Sequence, residues 1–353
     1  MAPLSREINL LLPDKIHRVE SKPREPYFSD RLTNGIRRLL ALPRPDPEWI
    51  SINKQSPFYG ERSWMLEREI SELVARSHPS IVLLEAIDEQ LFLLAEEKKK
   101  WPHTRLVGLC HQPPAWWRLN HARPDIVKAL DLLIIVASTA RSFWEQFTDK
   151  EKVAFIPHGI DSEFFCPLKV KSKRPLGDDP LRAVFSGLWL RDFDTMKSVV
   201  SIADDLNLPI RFEMVVPRFS RGSDACYRMA MSPRVNWYSD LVDEELRRVY
   251  QESDVLILTL RDSTANNGLL EGMACGLPAI VTDVGGVRDY AKESFADFVR
   301  PRDASAVIEI LQHYVMQRNK LVERGAAARA HVEKHLSWRK IAGEYAATLR
   351  SLF

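Results

Sequence analysis

Residues 262–286 concentrate side chains suited to holding a phosphate-bearing ligand. Asn266, Asn267 and Gly268 open a predicted helix directly after a polar loop. A helix start offers unpaired N–H groups at the positive end of the macrodipole, where the backbone itself binds an anion. Gly268 would let such a ligand approach the backbone with no side chain in the way. Glu271 follows one turn after Asn267 on the same helix face, within reach of a sugar hydroxyl whose phosphate sits at the helix start. The plainer alternative is a buried strand–helix–strand turn in which Glu271 merely caps or pairs.

The apolar run 255–260 reads as a buried parallel strand feeding that loop, and Gly276 and Pro278 end the helix and open the next strand, 279–282. Segments at 8–12, 29–42, 61–76, 81–84, 90–100, 106–110 and 132–137 alternate strand-like and helix-like patterns. That rhythm predicts an α/β domain with a helix-covered parallel sheet. A second sheet is predicted from 183–190, 211–216, 235–237, 255–260 and 279–282, with Asp243 capping a helix at 244–252. Residues 169–180 are basic, contain Pro and Gly and show no periodicity, the pattern of a linker.

The motif resembles the nucleotide-sugar loop of the family-4-like retaining glycosyltransferases of the GT-B fold, the glycosyl transferases of group 1. Their usual form is E-G-F-G-x-x-x-x-E-A-M-A-x-G-x-P followed by T-D-x-G-G. Glu271 stands at the second glutamate, and Met273 to Pro278 and Thr282 to Gly286 match well. Ser263 stands at the first glutamate, and Thr264, Ala265 and Asn266 replace the glycine-bearing residues after it. Phe155 to Asp161 resembles the segment that closes the N-terminal domain, with His158 in place of an asparagine and expected to position the hinge strand. The resemblance covers most of 152–353 and is loose before that. It implies two Rossmann-like domains facing across a cleft: 1–167, a linker at 168–180, and 181–336, with a C-terminal helix at 337–353 crossing back to the N-terminal domain.

The same resemblance implies donor-binding roles for Gly187, Ser263, Asn266, Asn267, Gly268, Leu269 and Glu271. Glu271 would bind the ribose hydroxyls, and the Ser263 position would meet the transferred hexose. His111, at the end of a predicted strand, stands near a family histidine that touches the transferred sugar; a structural histidine is the alternative. The family's G-R-x(4)-K grip on the diphosphate is absent, since Leu188 and Phe193 occupy those places after Gly187. Among Arg191, Arg218, Arg221 and Arg261, the expected substitutes are Arg191 and Arg218, which follow strand ends facing the cleft. The catalytic set is therefore His111, Glu271, Arg191 and Arg218, with no metal ligand and no cofactor.

Other constellations read as structural. Asp192-Phe193-Asp194 has a metal-binding spelling, but Asp194 is expected to cap a helix near Thr195. His331 and His335 share a helix face, yet Glu333 is not where a zinc protease motif requires it. Trp116-Trp117-Arg118 and Arg37-Arg38-Leu39-Leu40 could rest on an acidic membrane or a lipid-linked acceptor, or be core aromatics beside a solvated face.

A chain of 353 residues has room for two domains, and its net charge of +2 argues against nucleic acid as a partner. Four scattered cysteines fit free thiols in a reducing cytosol, and the N-terminal residues show no signal-peptide core. The expected protein is cytoplasmic, peripheral to a membrane at most, and moves a hexose from a UDP- or GDP-sugar to a glycan, lipid-linked or small-molecule acceptor with retention. Alternatives are another GT-B nucleotide-sugar enzyme, an epimerase or phosphorylase, or a nucleotide-sugar-binding subunit without catalysis.

Overall fold

The computed structural model describes residues 59–120, 123–168 and 179–353. The strand expected at 8–12, the helix at 29–42 with Arg37 to Leu40, and 169–178 of the expected linker lie outside them. The described chain runs through α1 (Glu61–Ser77), β1 (Ile81–Leu84), β2 (Arg105–Cys110), α2 (Pro114–Leu119), β3 (Leu132–Ile135) and β4 (Val153–Phe155). It continues through β5 (Leu181–Ser186), α3 (Phe193–Asp205), β6 (Ile210–Val215), β7 (Val235–Tyr238), α4 (Asp243–Glu252) and β8 (Val255–Leu258). It ends with α5 (Asn267–Ala274), β9 (Ala279–Thr282), β10 (Ala296–Val299), α6 (Ala304–Met316), α7 (Asn319–His335) and α8 (Trp338–Arg350).

Among the described residues two sheets form, one of order β1-β2-β3-β4 and one of order β10-β9-β8-β5-β6-β7, and every strand pairing is parallel. Parallel strands are covered on both faces, so β3 and β8 are uninterrupted apolar runs and β9 is apolar up to its last residue, Thr282, all buried. Alternation divides each sheet between two cores. Val255 and Ile257 face α3 and α6, whereas Leu256 and Leu258 face α5 and α7. In the larger sheet the strand order reverses between β5 and β8, a topological switch point with a crevice beyond the carboxyl ends of those strands.

Several expected elements changed length or capping. The helix expected over 90–100 is three short pieces, Ile87–Gln90, Phe92–Glu97 and a 3-10 turn at Lys98–Lys100, and at the first break buried Glu67 of α1 accepts the Phe92 and Leu94 N–H groups at 3.1 and 2.8 Å. Burial raises the Glu67 carboxyl to about 8. The strand expected at 183–190 stops at Ser186, where Gly187 turns to φ +94°. Asp192, not Asp194, caps α3, accepting from the Thr195 N–H at 3.2 Å and its hydroxyl at 2.6 Å. Asp243 lies in the first turn of α4 instead of capping it; Glu245 there accepts the Val242 N–H at 3.1 Å.

The two sheets are tied together by specific polar contacts. Asp289 accepts both the N–H and the hydroxyl of Ser138, at 2.8 and 2.6 Å. The Tyr290 hydroxyl donates to the Val136 carbonyl and accepts the His158 N–H at 2.9 Å. The helix α8 crosses back to the first sheet, where Ile341, Tyr345 and Leu349 pack with Leu109, Ile134 and Ile156. Its entry is a short parallel bridge, with the Ile160 N–H donating to Leu336 O at 2.8 Å and the Trp338 N–H donating to Ile160 O at 3.0 Å. Trp338 also meets the His158 ring edge-on at 4.9 Å. Trp338→Ala should cost about 3–5 kcal/mol, as for other buried aromatics, and lower the melting temperature measured by calorimetry.

Candidate functional site

The switch point is lined by the end of β5, the loops after β5 and β8, and the start of α5. Asn266 is the N-cap of α5; its Oδ1 accepts the Leu269 N–H at 3.2 Å and an Arg191 NH2 proton at 3.1 Å. This corrects the expected set of open amides, because the Leu269 N–H is already satisfied. Asn267 and Gly268 keep N–H groups with no acceptor among the described residues. Gly268 is needed for packing as well as for ligand access, since a Cβ there would lie 2.4 Å from Ser186 Oγ.

Arg191 curls back over this helix start. Its Nε donates to Ser186 O at 2.7 Å and its Nη1 to Trp189 O at 3.1 Å. Three of the five guanidinium N–H groups are thus used by Ser186, Trp189 and Asn266, which leaves two for a ligand. Burial lowers the Arg191 guanidinium to about 10, opposed by Tyr250 and Glu271, so it stays charged at neutral pH. It lies beside Gly187 and Gly268, where the resemblance called for a cation that Leu188 and Phe193 do not supply.

Glu271 sits one turn below on α5. The fully buried Tyr250 of α4 donates its hydroxyl to Glu271 Oε2 at 2.8 Å and lies 2.7 Å from Ser186 Oγ. A phenol has one proton to give, so Ser186 is the donor in the second contact. Burial raises the Glu271 carboxyl; the Tyr250 bond and Arg191 oppose that shift, while Asp243 adds to it. Tyr250 and Ser186 were missed from sequence, because a tyrosine in the helix before β8 carries no local sign of its partner.

The remaining expected residues are dispersed. Arg218 is 79% exposed at the end of β6 and pairs with Asp240 at 3.6 Å, outside the Arg191 network. Ser263 is buried, and its hydroxyl donates to the Thr264 carbonyl at 3.2 Å. Its own carbonyl accepts the Gly286 N–H at 2.8 Å, and Gly285, at φ +52°, passes so close that a Cβ would lie 1.9 Å from that oxygen. His111 directly follows β2 on the facing sheet, and its carbonyl accepts the Thr264 hydroxyl at 2.6 Å, joining the two sides of the crevice. Its Nε2 is buried without a hydrogen-bond partner among the described residues, and burial lowers its pKa, so the ring is neutral at pH 7. His158, edge-on to it at 5.8 Å, is lowered to about 3 by burial and then by His111.

Trp116 and Trp117, considered above as membrane contacts, are core residues, with Trp117 edge-on to Trp144 at 5.0 Å. Arg118 lies over the Phe143 ring at 4.9 Å. No helix among the described residues is long and apolar enough to cross a membrane.

Residues 213–316 match the model of a family described as glycosyl transferases group 1. The D-inositol 3-phosphate glycosyltransferase of Stackebrandtia nassauensis is 24% identical over 321 residues, covering 86% of this chain and 68% of that one. The GDP-mannose-dependent monoacylated alpha-(1-6)-phosphatidylinositol monomannoside mannosyltransferase of Corynebacterium glutamicum is 25% identical over 284 residues, 72% of each chain. Among solved structures, sucrose-phosphate synthase from Thermosynechococcus elongatus superposes with a TM-score of 0.67 at 17% identity, over 83% of this chain and 78% of that one. The Anabaena protein HepE in complex with UDP and glucose gives a TM-score of 0.67 at 14% identity, over 84% of each chain. The expected architecture of two facing α/β domains, with the last helix crossing back, is the one observed.

Because Asn266 serves both the helix and Arg191, Asn266→Ala should cost about 1–2 kcal/mol, the value of a lost N-cap. Chemical denaturation measures that loss, and Asn266→Ser should recover most of it.

Proposed function

We propose that this chain, a glycosyltransferase of group 1 and of the GT-B type, moves a hexose from a UDP- or GDP-sugar to an acceptor with retention of configuration. The observation that carries the reading is the convergence of two open α5 amides, the Arg191 guanidinium and the Glu271 carboxylate at the switch point. A diphosphate on the amides and Arg191 would have its developing negative charge stabilised by dipoles and a cation already in place. Glu271, one turn further along the helix, would accept from the ribose hydroxyls. A phosphate oxygen of the departing nucleotide would take the acceptor proton, so this scheme requires no protein nucleophile and no metal.

The acceptor would enter from the N-terminal side of the crevice. There the neutral His111 ring would lie beside the transferred sugar, and Thr264 holds its carbonyl. Relatives named for D-inositol 3-phosphate and for phosphatidylinositol mannosides support a polyol phosphate or a lipid-linked glycan as acceptor. The work would be done at a cytoplasmic face, with any membrane contact peripheral.

A second reading, a subunit that binds a nucleotide sugar without turnover, is favoured by Ser263. Its hydroxyl is turned into its own loop, and it puts no carboxylate at the position where the family's first glutamate would meet the hexose. Transfer from UDP- and GDP-hexoses to inositol phosphates and phosphoinositide mannosides, read by nucleotide release, separates the two. For the first reading we expect release that depends on acceptor; binding of nucleotide with no release for any acceptor supports the second. Glu271→Ala should weaken UDP or GDP binding by roughly ten- to hundredfold, the value of hydrogen bonds to a charged group, as measured by calorimetry.

A further inference from the structure

We propose that Tyr250, backed by Ser186, is the positioning residue that presents Glu271 to the ribose of a nucleoside diphosphate, an assignment resting on the donor-site reading above. Glu271 Oε2 is held by the Tyr250 hydroxyl at 2.8 Å, while Oε1 has no protein partner among the described residues. One oxygen is anchored and the other is free to accept. Tyr250 reaches this point from α4, Ser186 from the end of β5 and Glu271 from α5, so the chain of hydroxyls joins three elements at the switch point.

The geometry suits positioning more than simple core packing. A buried phenol far from water supplies a fixed donor, and its pKa stands well above the ordinary range, first through burial and then through Glu271, so its proton stays in place. Ser186 Oγ touches the space beside Gly268 in the first turn of α5, which holds the far end of the relay against the same helix. A glutamate otherwise free to sample rotamers would lose that entropy on binding ligand; here the loss is incurred on folding.

The groups facing Glu271 are Tyr250 and Asp243 from α4, Arg191 from the loop after β5, and Cys275 after α5. Ribose hydroxyls donate to the ionised carboxylate, so nucleotide affinity should fall as pH drops through the Glu271 pKa. The Tyr250 bond lowers that pKa against burial and Asp243. Its removal should move the acid limb of binding to higher pH.

The test is calorimetric titration of UDP and of GDP across pH 5–8 with wild type, Tyr250→Phe, Ser186→Ala, Glu271→Ala and the Tyr250→Phe/Glu271→Ala double variant. Tyr250→Phe should bind about tenfold more weakly at neutral pH, with its acid limb at higher pH. Ser186→Ala should move the limb in the same direction by less. In the Glu271→Ala background, Tyr250→Phe should add no further loss. An unmoved acid limb in Tyr250→Phe, or losses that simply add, would overturn the assignment; if Tyr250→Phe does not fold, the limb of Ser186→Ala decides. Wild-type protein that binds neither nucleotide, or Glu271→Ala that binds like wild type, would instead overturn the donor-site reading itself.

Discussion

The contact between the end of β5 and the first turn of α5 is the constraint on which the candidate site depends. Ser186 approaches Gly268 so closely that no larger residue fits there without a shift, and this brings β5 and α5 together across the switch point. Arg191, leaving the β5 turn, then has only a short reach to Ser186 O and Asn266 Oδ1. Tyr250 reaches Ser186 and Glu271 at once. A cation, two amides and a carboxylate meet at one crevice because three elements pack against one another at its floor.

The opposing domain is set by a few contacts on backbone groups. Thr264 binds the His111 carbonyl, Tyr290 the Val136 carbonyl and the His158 N–H, and Asp289 the start of the turn at Ser138. Contacts of this kind fix distance and orientation while leaving the two cores separate, each sheet keeping its own buried clusters. The exception is α8, whose apolar face completes the first sheet although its sequence follows the second. It therefore acts as a strap between the halves.

Much of this was legible in the chain. Apolar runs marked β3, β8 and most of β9, since strands of a parallel sheet are buried on both faces. Asn266 and Gly268 marked the start of α5, and Gly276 its end. The errors have a common origin in contacts distant in sequence. Glu67 breaks a helix 25 residues away by capturing its N–H groups. Asp192 caps α3 in place of Asp194 because the chain turns two residues earlier after bridging to Leu260. Arg191 and Arg218 looked equivalent as residues following strand ends, yet one turns inward over α5 and the other pairs with Asp240 in solvent.

The sequence by itself determined the fold class, the position of the α5 start and the place of Glu271 upon it. Those features rest on local periodicity, on glycine and on the caps, which act within a turn or two of chain. Tertiary structure decided which arginine faces the site, and that Tyr250 and Ser186 hold Glu271. These are choices among hydrogen-bond partners tens of residues apart, and a partner is selected only when packing brings it within about 3 Å with the right orientation.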